Sequence, residues 1–358
     1  MYNIHLLPAE FGDSILIEYG STGKKNYILI DGGPYYVFDE FWAAMQKAAP
    51  AITELELLVV THIDIDHIDG IVKLLNQSNL PFKVKEIWFN GREQLEKASQ
   101  LLASADDLGS LQGEYLTKLI KEKNLSHNSK FDHRIICITD YNNLPYQILD
   151  GGMKITLLSP GLRDLVNLIP VWDEELKEIN VNEKWEEDTR YADELGDEDY
   201  ISELQQQEFK GDKSEANCSS IAFIASFEEK KCLFAADAPS HVLLEAVNSI
   251  LDKTGDDELT VDAWKLAHHG SKKSTQDSVM EKVRSKHLLL SSNGKRYKHP
   301  EEPVIAKLLK HNTPGMIFHF NYRTEFNEMW DDHGLKEKYN YEAVYPEKTD
   351  EPGIKISL

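Results

Sequence analysis

The stretch that most constrains this chain is Thr61 to Gly70, which reads T-H-I-D-I-D-H-I-D-G. A short run of mostly apolar, branched residues, Leu55 to Val60, precedes it and predicts a buried strand. A helical pattern of apolar residues begins at Ile68. The polar stretch is therefore predicted to lie on the loop at the end of a core strand, where catalytic groups collect in layered α/β proteins.

Within six residues, this loop carries four side chains that can bind a divalent cation, namely His62, Asp64, Asp66 and His67. Imidazole and carboxylate ligands together suit Zn²⁺, Mn²⁺ or Fe. The alternative is an acidic surface loop that carries two histidines. It would leave a dense set of ligands at the end of a buried strand without a role, so we predict a centre for one or two divalent metal ions.

The spacing H-x-D-x-D-H resembles the signature loop of the metallo-β-lactamase superfamily, usually written H-x-H-x-D-H. The form with aspartate at the second ligand position is similar to the soluble domain of ComEC-type competence DNA-uptake proteins and their stand-alone relatives. The resemblance implies an α/β fold of the αββα sandwich type, with two mostly antiparallel sheets packed face to face and flanked by helices. Strand and helix patterns along the chain are compatible with this fold but do not single it out.

Two aspartates follow predicted strands elsewhere in the chain. The segment Ile30-Asp31-Gly32-Gly33 is similar to an early family motif, so the resemblance makes Asp31 the carboxylate that orients the metal loop. The alternative is a turn residue before two glycines. The resemblance also makes Asp237 the carboxylate that bridges two metals, whereas by itself it would be an N-cap for the helix predicted from Ser240 to Leu251.

A second motif, W-K-L-A-H-H-G-S, ends in the His268-His269 pair and resembles L-K-x-x-H-H-G-S of ComEC-type domains. The resemblance implies that one of the two histidines completes the second metal site. We expect His268 to be the ligand and His269 its neighbour, although the order stays open. Asn217 to Ser220 reads N-C-S-S and is similar to the family motif at the place where many superfamily members carry a third histidine. The missing histidine favours Mn²⁺ over Zn²⁺, and Asn217 and Ser220 are expected to support the site.

A loop near the end of the chain, S-S-N-G-K-R-Y-K-H-P, is similar to a later family loop that ends in Y-x-H-P. Its His299 is a candidate for binding a substrate phosphate or protonating a leaving oxygen, and a structural loop histidine is the alternative. Cations gather in this third of the chain: Lys265, Lys272, Lys273, Arg284, Lys286, Lys295, Arg296 and Lys298. Cations beside a metal site suit a phosphate-bearing substrate.

The composition limits the location and the partners of the chain. A net charge of −22 argues against a protein with a broad basic surface that binds DNA or a membrane non-specifically. Three cysteines without C-x-x-C spacing predict a reduced, cytoplasmic protein. The first residues lack the pattern of a signal peptide, and no apolar run is long enough for a membrane span.

We expect a single domain over residues 1–358, with an acidic insertion at about 173–215. Acidic residues and weak apolar periodicity in that segment predict a solvated or mobile region. The functional alternative is an acidic lid or a partner-binding surface near the site.

The sequence therefore predicts a metal-dependent hydrolase, in which Asp66 and His299 act catalytically and the metals activate water. The cations and the ComEC-type motifs favour a phosphodiester in DNA, RNA or a nucleotide. One alternative is a small-molecule substrate such as a cyclic nucleotide, a thioester or a lactone. Another is a non-catalytic regulatory subunit. A protein partner from the same multi-protein system is also expected.

Overall fold

The computed structural model describes residues 1–21, 23–102, 111–177, 198–311 and 313–358. Its strands, numbered along the chain, are β1 (Tyr2–Leu6), β2 (Ile15–Ser21), β3 (Lys24–Ile30), β4 (Glu54–Leu55), β5 (Leu57–Val59), β6 (Lys83–Val84), β7 (Ile87–Trp88), β8 (Tyr146–Ile148), β9 (Lys154–Ser159), β10 (Ala222–Phe227), β11 (Lys230–Phe234), β12 (Leu259–Lys265), β13 (Val283–Leu290), β14 (Met316–Phe320), β15 (Tyr341–Val344) and β16 (Ile354–Ser357). Its helices are α1 (Phe38–Ala48), α2 (Ile65–Leu75), α3 (Arg92–Leu101), α4 (Leu111–Glu122), α5 (Leu162–Lys177), α6 (Glu198–Gln206), α7 (Glu215–Cys218), α8 (Ser240–Thr254), α9 (Asp277–Met280), α10 (Glu302–Lys310) and α11 (His333–Tyr339).

Two large sheets form the centre of the molecule. The first has six strands in the order β16-β1-β2-β3-β5-β7, and the second has eight in the order β15-β14-β13-β12-β11-β10-β9-β8. The first strand of the chain thus pairs with the last, with Ile4 opposite Ile356. This pairing joins the two ends of the described chain in one sheet.

Both sheets are mixed, and the prediction of mostly antiparallel sheets is confirmed for the first, where three of five neighbouring pairs are antiparallel, but wrong for the second, where three of seven are. Strands β3, β5 and β7 run parallel, and so do the neighbours from β11 through β15. Parallel neighbours need a crossover connection, which is usually a helix. Helices α9, α10 and α11 supply those crossovers between β12 and β15.

The apolar residues divide into two buried clusters that define the layers. One fills the space between the sheets and extends beneath α8 and α10, with Ile17, Phe223 and Val304 among its members. The other lies between the first sheet and helices α1 to α5, and includes Phe41 and Leu74. Helix, sheet, sheet and helix layers result, which is the predicted αββα sandwich.

Backbone contacts fix α2 against the turn after β3. The Gly32 N–H donates to the carbonyl of His67 at 2.9 Å, and the Gly70 N–H donates to the carbonyl of Gly33 at 2.8 Å. A Cβ atom on Gly70 would lie 2.0 Å from the Gly32 carbonyl oxygen. Only glycine allows this approach, which brings the metal-binding loop beside the turn after β3.

Part of the acidic insertion packs against the body of the protein. Ile201 and Leu204 of α6 are buried in the core between the sheets. The Gln205 side chain donates to the carbonyl of Ala306 in α10 at 3.0 Å. Residues 198–215 are therefore anchored by a few buried side chains while most of their polar residues are exposed, and residues 178–197 lie outside the described residues.

Across the described residues, no helix has both the length and the apolar content that crossing a bilayer requires.

Replacing Gly70 with alanine tests the close approach of α2 to the turn after β3. Alanine favours a helix by about 1 kcal/mol over glycine, but here its Cβ would overlap the Gly32 carbonyl. We expect Gly70→Ala to lower the free energy of unfolding by roughly 1–3 kcal/mol, measured by urea denaturation. Gly23→Ala is the control, because a Cβ there meets nothing within 4 Å. Equal stability of the two variants would contradict the contact.

Candidate metal centre

The predicted ligands come together at one edge of the sandwich, beyond the carboxyl ends of several strands. His62 and Asp64 follow β5, Asp237 follows β11 and His269 follows β12. Strand ends of neighbouring strands meet at one edge, so residues distant in sequence become neighbours there. Three overlapping groups of side chains are able to hold a metal ion in the described chain: His62, His67 and Asp237; Asp66, His67 and His269; and Asp13, Asp237 and His269.

Distances between the ligand atoms are short. The His67 Nε2 lies 3.5 Å from Asp237 Oδ1, and the His269 Nε2 lies 3.6 Å from Asp237 Oδ2 and 3.7 Å from Asp66 Oδ2. The His62 Nε2 lies 3.5 Å from Asp64 Oδ2. Zn–N bonds of about 2.0–2.1 Å at tetrahedral angles separate ligand atoms by roughly 3.3 Å. The spacing of these atoms fits a shared divalent cation.

Each of the three buried histidines is held by its Nδ1 and points its Nε2 into the cluster. The His67 Nδ1 contacts Asp31 Oδ2 at 2.8 Å, the His62 Nδ1 contacts Thr61 Oγ1 at 3.0 Å, and the His269 Nδ1 contacts the Ser291 carbonyl at 3.0 Å. A carbonyl can only accept, so this contact makes the His269 Nδ1 the protonated nitrogen. Such contacts are the orienting partners that metal-binding histidines usually have.

Among the described residues, the buried Nε2 atoms of His62, His67 and His269 and the Oδ1 of Asp237 have no hydrogen-bond partner. Unsatisfied buried polar groups are costly, and they are rare in proteins unless an ion or water completes them. Four such atoms facing one another are what a bound cation would satisfy. The residues therefore fit the metal that the sequence predicts.

Two aspartates show why a cation suits the site. Burial would raise the pKa of Asp237, but the imidazoles of His269, His67 and His268 lower it well below its usual range. Burial raises the pKa of Asp66, and the nearby carboxylates of Asp64 and Asp237 add to that rise. A divalent cation would compensate this concentration of negative charge.

The helix-cap alternative for Asp237 does not hold, and Asp64 does not act as a cap either. Asp64 occupies the N-cap position of α2 but makes no capping hydrogen bond. The N-cap of α8 is Pro239, so Asp237 does not cap that helix. Both carboxylates point to the histidine cluster instead.

The structure favours His269 over His268 as the ligand within the cluster, which reverses the order we expected. His269 is 1% exposed and belongs to two of the three groups, while the more open His268 belongs to none. The His268 Nε2 still lies 3.8 Å from Asp237 Oδ2. Both histidines have left-handed backbone angles, with φ of 48° and 55°. Such strain concentrates at functional sites and is invisible in sequence.

Asp212, from the end of the insertion, orients His268. Its carboxylate accepts from the side chains of Asn217 at 2.7 Å and Ser274 at 3.1 Å, and lies 3.3 Å from the His268 Nδ1. Sequence reasoning missed Asp212 because the acidic residues around it hid its role. Asn217 thus supports the site through Asp212 and His268, whereas Ser220 is buried with its carbonyl bonded to Ser159.

Asp13 and Lys265 form a buried ion pair of 2.7 Å beside His269. Burial would raise the pKa of Asp13, but Lys265 and His269 lower it well below its usual range. The prediction that Lys265 serves a substrate is wrong, because its ammonium neutralises Asp13 inside the protein. The sequence signal for an internal lysine is its position within the otherwise apolar run of residues 264–267.

The open side of the centre is a pocket of about 390 Å³. His299 lies in its wall with its ring centre 5.4 Å from that of His268, and Lys273 and Tyr297 line the same pocket. Burial and the neighbouring imidazoles of His268 and His269 lower the pKa of His299 well below its usual range. A neutral ring can accept or donate one hydrogen bond but carries no charge for a phosphate.

Replacing Asp31 with asparagine tests the orientation of His67. The Asp31 carboxylate accepts from the Thr61 N–H and hydroxyl and from the His67 Nδ1. An amide cannot accept at all three positions, and asparagine tolerates the φ of 56° found here. We expect Asp31→Asn to weaken metal binding roughly 10- to 100-fold, measured by titration calorimetry with Zn²⁺ and Mn²⁺.

The exposed Asp39, whose side chain is 92% accessible, provides the control for this measurement. Asp39→Asn should bind metal like the wild type. An unchanged affinity in Asp31→Asn would show that the carboxylate behind His67 is not needed.

Residues 7–118 match the family model of the metallo-β-lactamase superfamily. No curated protein matches the chain. One similar solved structure is the E377D mutant of the CmlA β-hydroxylase, with 10% sequence identity and a TM-score of 0.39. The match covers 99% of this chain and 54% of that one, so the chain spans about half the length of its structural neighbour.

The matched residues contain the loop with His62, Asp64, Asp66 and His67, and the two central sheets flanked by helices agree with the fold of that family. Residues 7–118 are thus similar to the metallo-β-lactamase superfamily.

Proposed function

We propose that this protein is a metal-dependent phosphodiesterase that acts on nucleic acid. Members of the superfamily that residues 7–118 match are generally metallo-hydrolases or related enzymes, and the metal-binding geometry fits that class. The observation that carries the finer proposal is the position of Lys273, an exposed cation that lines the metal pocket. The described chain gives Lys273 no ion-pair partner, so its charge faces whatever enters the pocket.

The charge of the site favours an anionic substrate. Asp64, Asp66 and Asp237 line the pocket and would repel a phosphodiester unless cations offset them. The metal offsets part of this charge, and Lys273 adds a cation on the solvent side. A neutral thioester or lactone would need no such cation. The nearby Lys272 does not contribute in the same way, because it pairs with Glu301 at 2.9 Å.

In the proposed mechanism, one or two divalent ions would be held by six side chains, namely His62, Asp64, Asp66, His67, Asp237 and His269. His268 lies at the edge of this metal site. When bound, Zn²⁺ or Mn²⁺ lowers the pKa of water and stabilises the charge that develops on phosphate oxygens. Asp31, Thr61 and Ser291 keep the imidazoles oriented. Lys273 draws the phosphate into the pocket, and His299 hydrogen-bonds to the leaving oxygen through its neutral ring.

The regulatory-subunit alternative is disfavoured by the site itself. A subunit without catalytic function has no need to keep three buried imidazoles aimed at one carboxylate. The expected protein partner stays a proposal, and the packed residues 198–215 would link the insertion to the metal centre through Asp212.

Replacing Asp66 with alanine removes one ligand and tests the hydrolase. Purified wild type should cleave labelled oligonucleotides when Mn²⁺ or Zn²⁺ is added. Asp66→Ala should lose activity by more than about 100-fold, since even residues that only support ligands cost roughly 10- to 100-fold. The exposed Asp256→Ala, purified identically, excludes a contaminating nuclease. Normal metal content and cleavage in Asp66→Ala would refute the assignment.

Replacing Lys273 with glutamine separates a phosphodiester from a neutral substrate. We expect KM for a phosphodiester to rise roughly fivefold, which corresponds to about 1 kcal/mol for an exposed charged contact. The rate for a neutral thioester should not change. The exposed Lys118→Gln on α4 is the charge-matched control. An equal effect on both substrates would favour the small-molecule alternative.

A further inference from the structure

One hydroxyl group in the wall of the metal pocket belongs to Ser271, which lines the pocket and is only 2% exposed. Ser271 directly follows the turn of residues 267–270 that carries His268 and His269. Lys273, two residues further on, lines the same pocket. One short segment of the chain therefore runs from the histidines of the metal centre to the exposed cation.

The backbone of Ser271 is engaged within this segment. Its N–H donates to the carbonyl of His268 at 2.8 Å. Its own carbonyl accepts from the N–H groups of Ser274 at 3.2 Å and Thr275 at 2.9 Å. These bonds hold the residue in place and leave its side chain as the part that can interact with a molecule in the pocket.

The Ser271 hydroxyl is already used as an acceptor, because the Lys273 N–H donates to its oxygen at 3.3 Å. A hydroxyl also has one hydrogen to donate. Within the residues that the structure describes, no acceptor receives the hydrogen of Ser271. This donor is therefore free to bind a ligand.

Other hydroxyl groups around the centre donate to acceptors inside the protein. Four of them do so: Thr61 to Asp31, Ser274 to Asp212, Thr275 to the Ala267 carbonyl, and Ser291 to the Gly12 carbonyl. These four bonds hold the site together. The hydroxyl of Ser271 differs from them in having its hydrogen unused beside the pocket.

We propose that Ser271 is a further catalytic residue, whose hydroxyl donates a hydrogen bond to a non-bridging oxygen of the substrate phosphate. This proposal rests on the phosphodiesterase function proposed above and adds a substrate contact to it. A donor that is oriented in advance needs no rearrangement when negative charge grows on the oxygen. The Lys273 N–H supplies that orientation, so one wall of the pocket presents a neutral donor beside a cation.

The alternative is a hydroxyl that only closes its own turn, and Ser292 provides the matched control for it. Ser292 is 3% exposed, and its oxygen accepts from the Gly294 N–H at 3.1 Å, also two residues further on. It does not line the metal pocket. Ser271→Ala and Ser292→Ala thus lose the same kind of turn contact, but only Ser271→Ala loses a donor beside the metal centre.

The first measurement is hydrolysis of a dithymidine phosphodiester by the full chain supplied with Mn²⁺. We expect kcat/KM to fall roughly 10- to 100-fold in Ser271→Ala, since a hydrogen bond to a charged group contributes about that much. Ser292→Ala should match the wild type, and the metal content of both variants should be normal. Equal rates for Ser271→Ala and the wild type would overturn the proposal.

Phosphorothioate diesters separate a substrate contact from a structural effect. Sulfur accepts hydrogen bonds more weakly than oxygen, and each of the two diastereomers carries it at a different non-bridging position. For one diastereomer, the effects of sulfur and of Ser271→Ala should be less than additive, because both remove the same bond. Additive effects for both diastereomers would show that Ser271 does not touch the phosphate.

A binding measurement keeps the two proposals apart. If the wild type hydrolyses no diester, the phosphodiesterase is refuted, and the same dithymidine is titrated by calorimetry into the Mn²⁺-loaded chain. Binding that is roughly 10-fold weaker in Ser271→Ala, but unchanged in Ser292→Ala, would keep Ser271 as a phosphate contact. Absence of binding, or equal binding by Ser271→Ala and the wild type, would overturn that contact.

Discussion

The structure depends on the backbone contact between α2 and the turn after β3. Gly32 and Gly70 meet without side chains between them, and hydrogen bonds join Gly32 to the His67 carbonyl and Gly70 to the Gly33 carbonyl. This contact brings His67 within 2.8 Å of Asp31. A metal centre tolerates little error in the positions of its ligands. The contact that only glycine permits fixes those positions.

The buried carboxylates near this contact are compensated in two different ways. Asp13 pairs with Lys265, and this ion pair holds the two sheets together at their shared edge, while the other oxygen of Asp13 lies 3.3 Å from the His269 Nδ1. Asp237 and the inward-facing histidine nitrogens are left for a cation, because no described protein group completes them. Burying charge is costly unless it is compensated. At this edge of the sandwich, Lys265 compensates the charge of Asp13 within the protein, and a bound cation would compensate that of Asp237.

An acidic protein that acts on an anionic polymer must confine its positive charge. Here Lys273 and the metal would supply that charge at a single pocket. Non-specific attraction along the surface would be weak, and selectivity would come from what reaches the pocket.

The sequence alone predicted the metal loop and most of the candidate ligands, because the chemistry of ligands and the spacing of H-x-D-x-D-H are local properties, and the layered fold was predicted from the family resemblance of its motifs. It indicated Asp31, Asp237 and the His268-His269 pair as members of the site. Only the tertiary structure decided that His269 faces the cluster, since the two histidines differ in backbone direction and not in type. It also decided that Lys265 is internal, that Asp212 returns from the insertion to support the site, and that the sheets are mixed. Those facts depend on residues far apart in the chain, and their proximity arises only when strand ends meet at one edge.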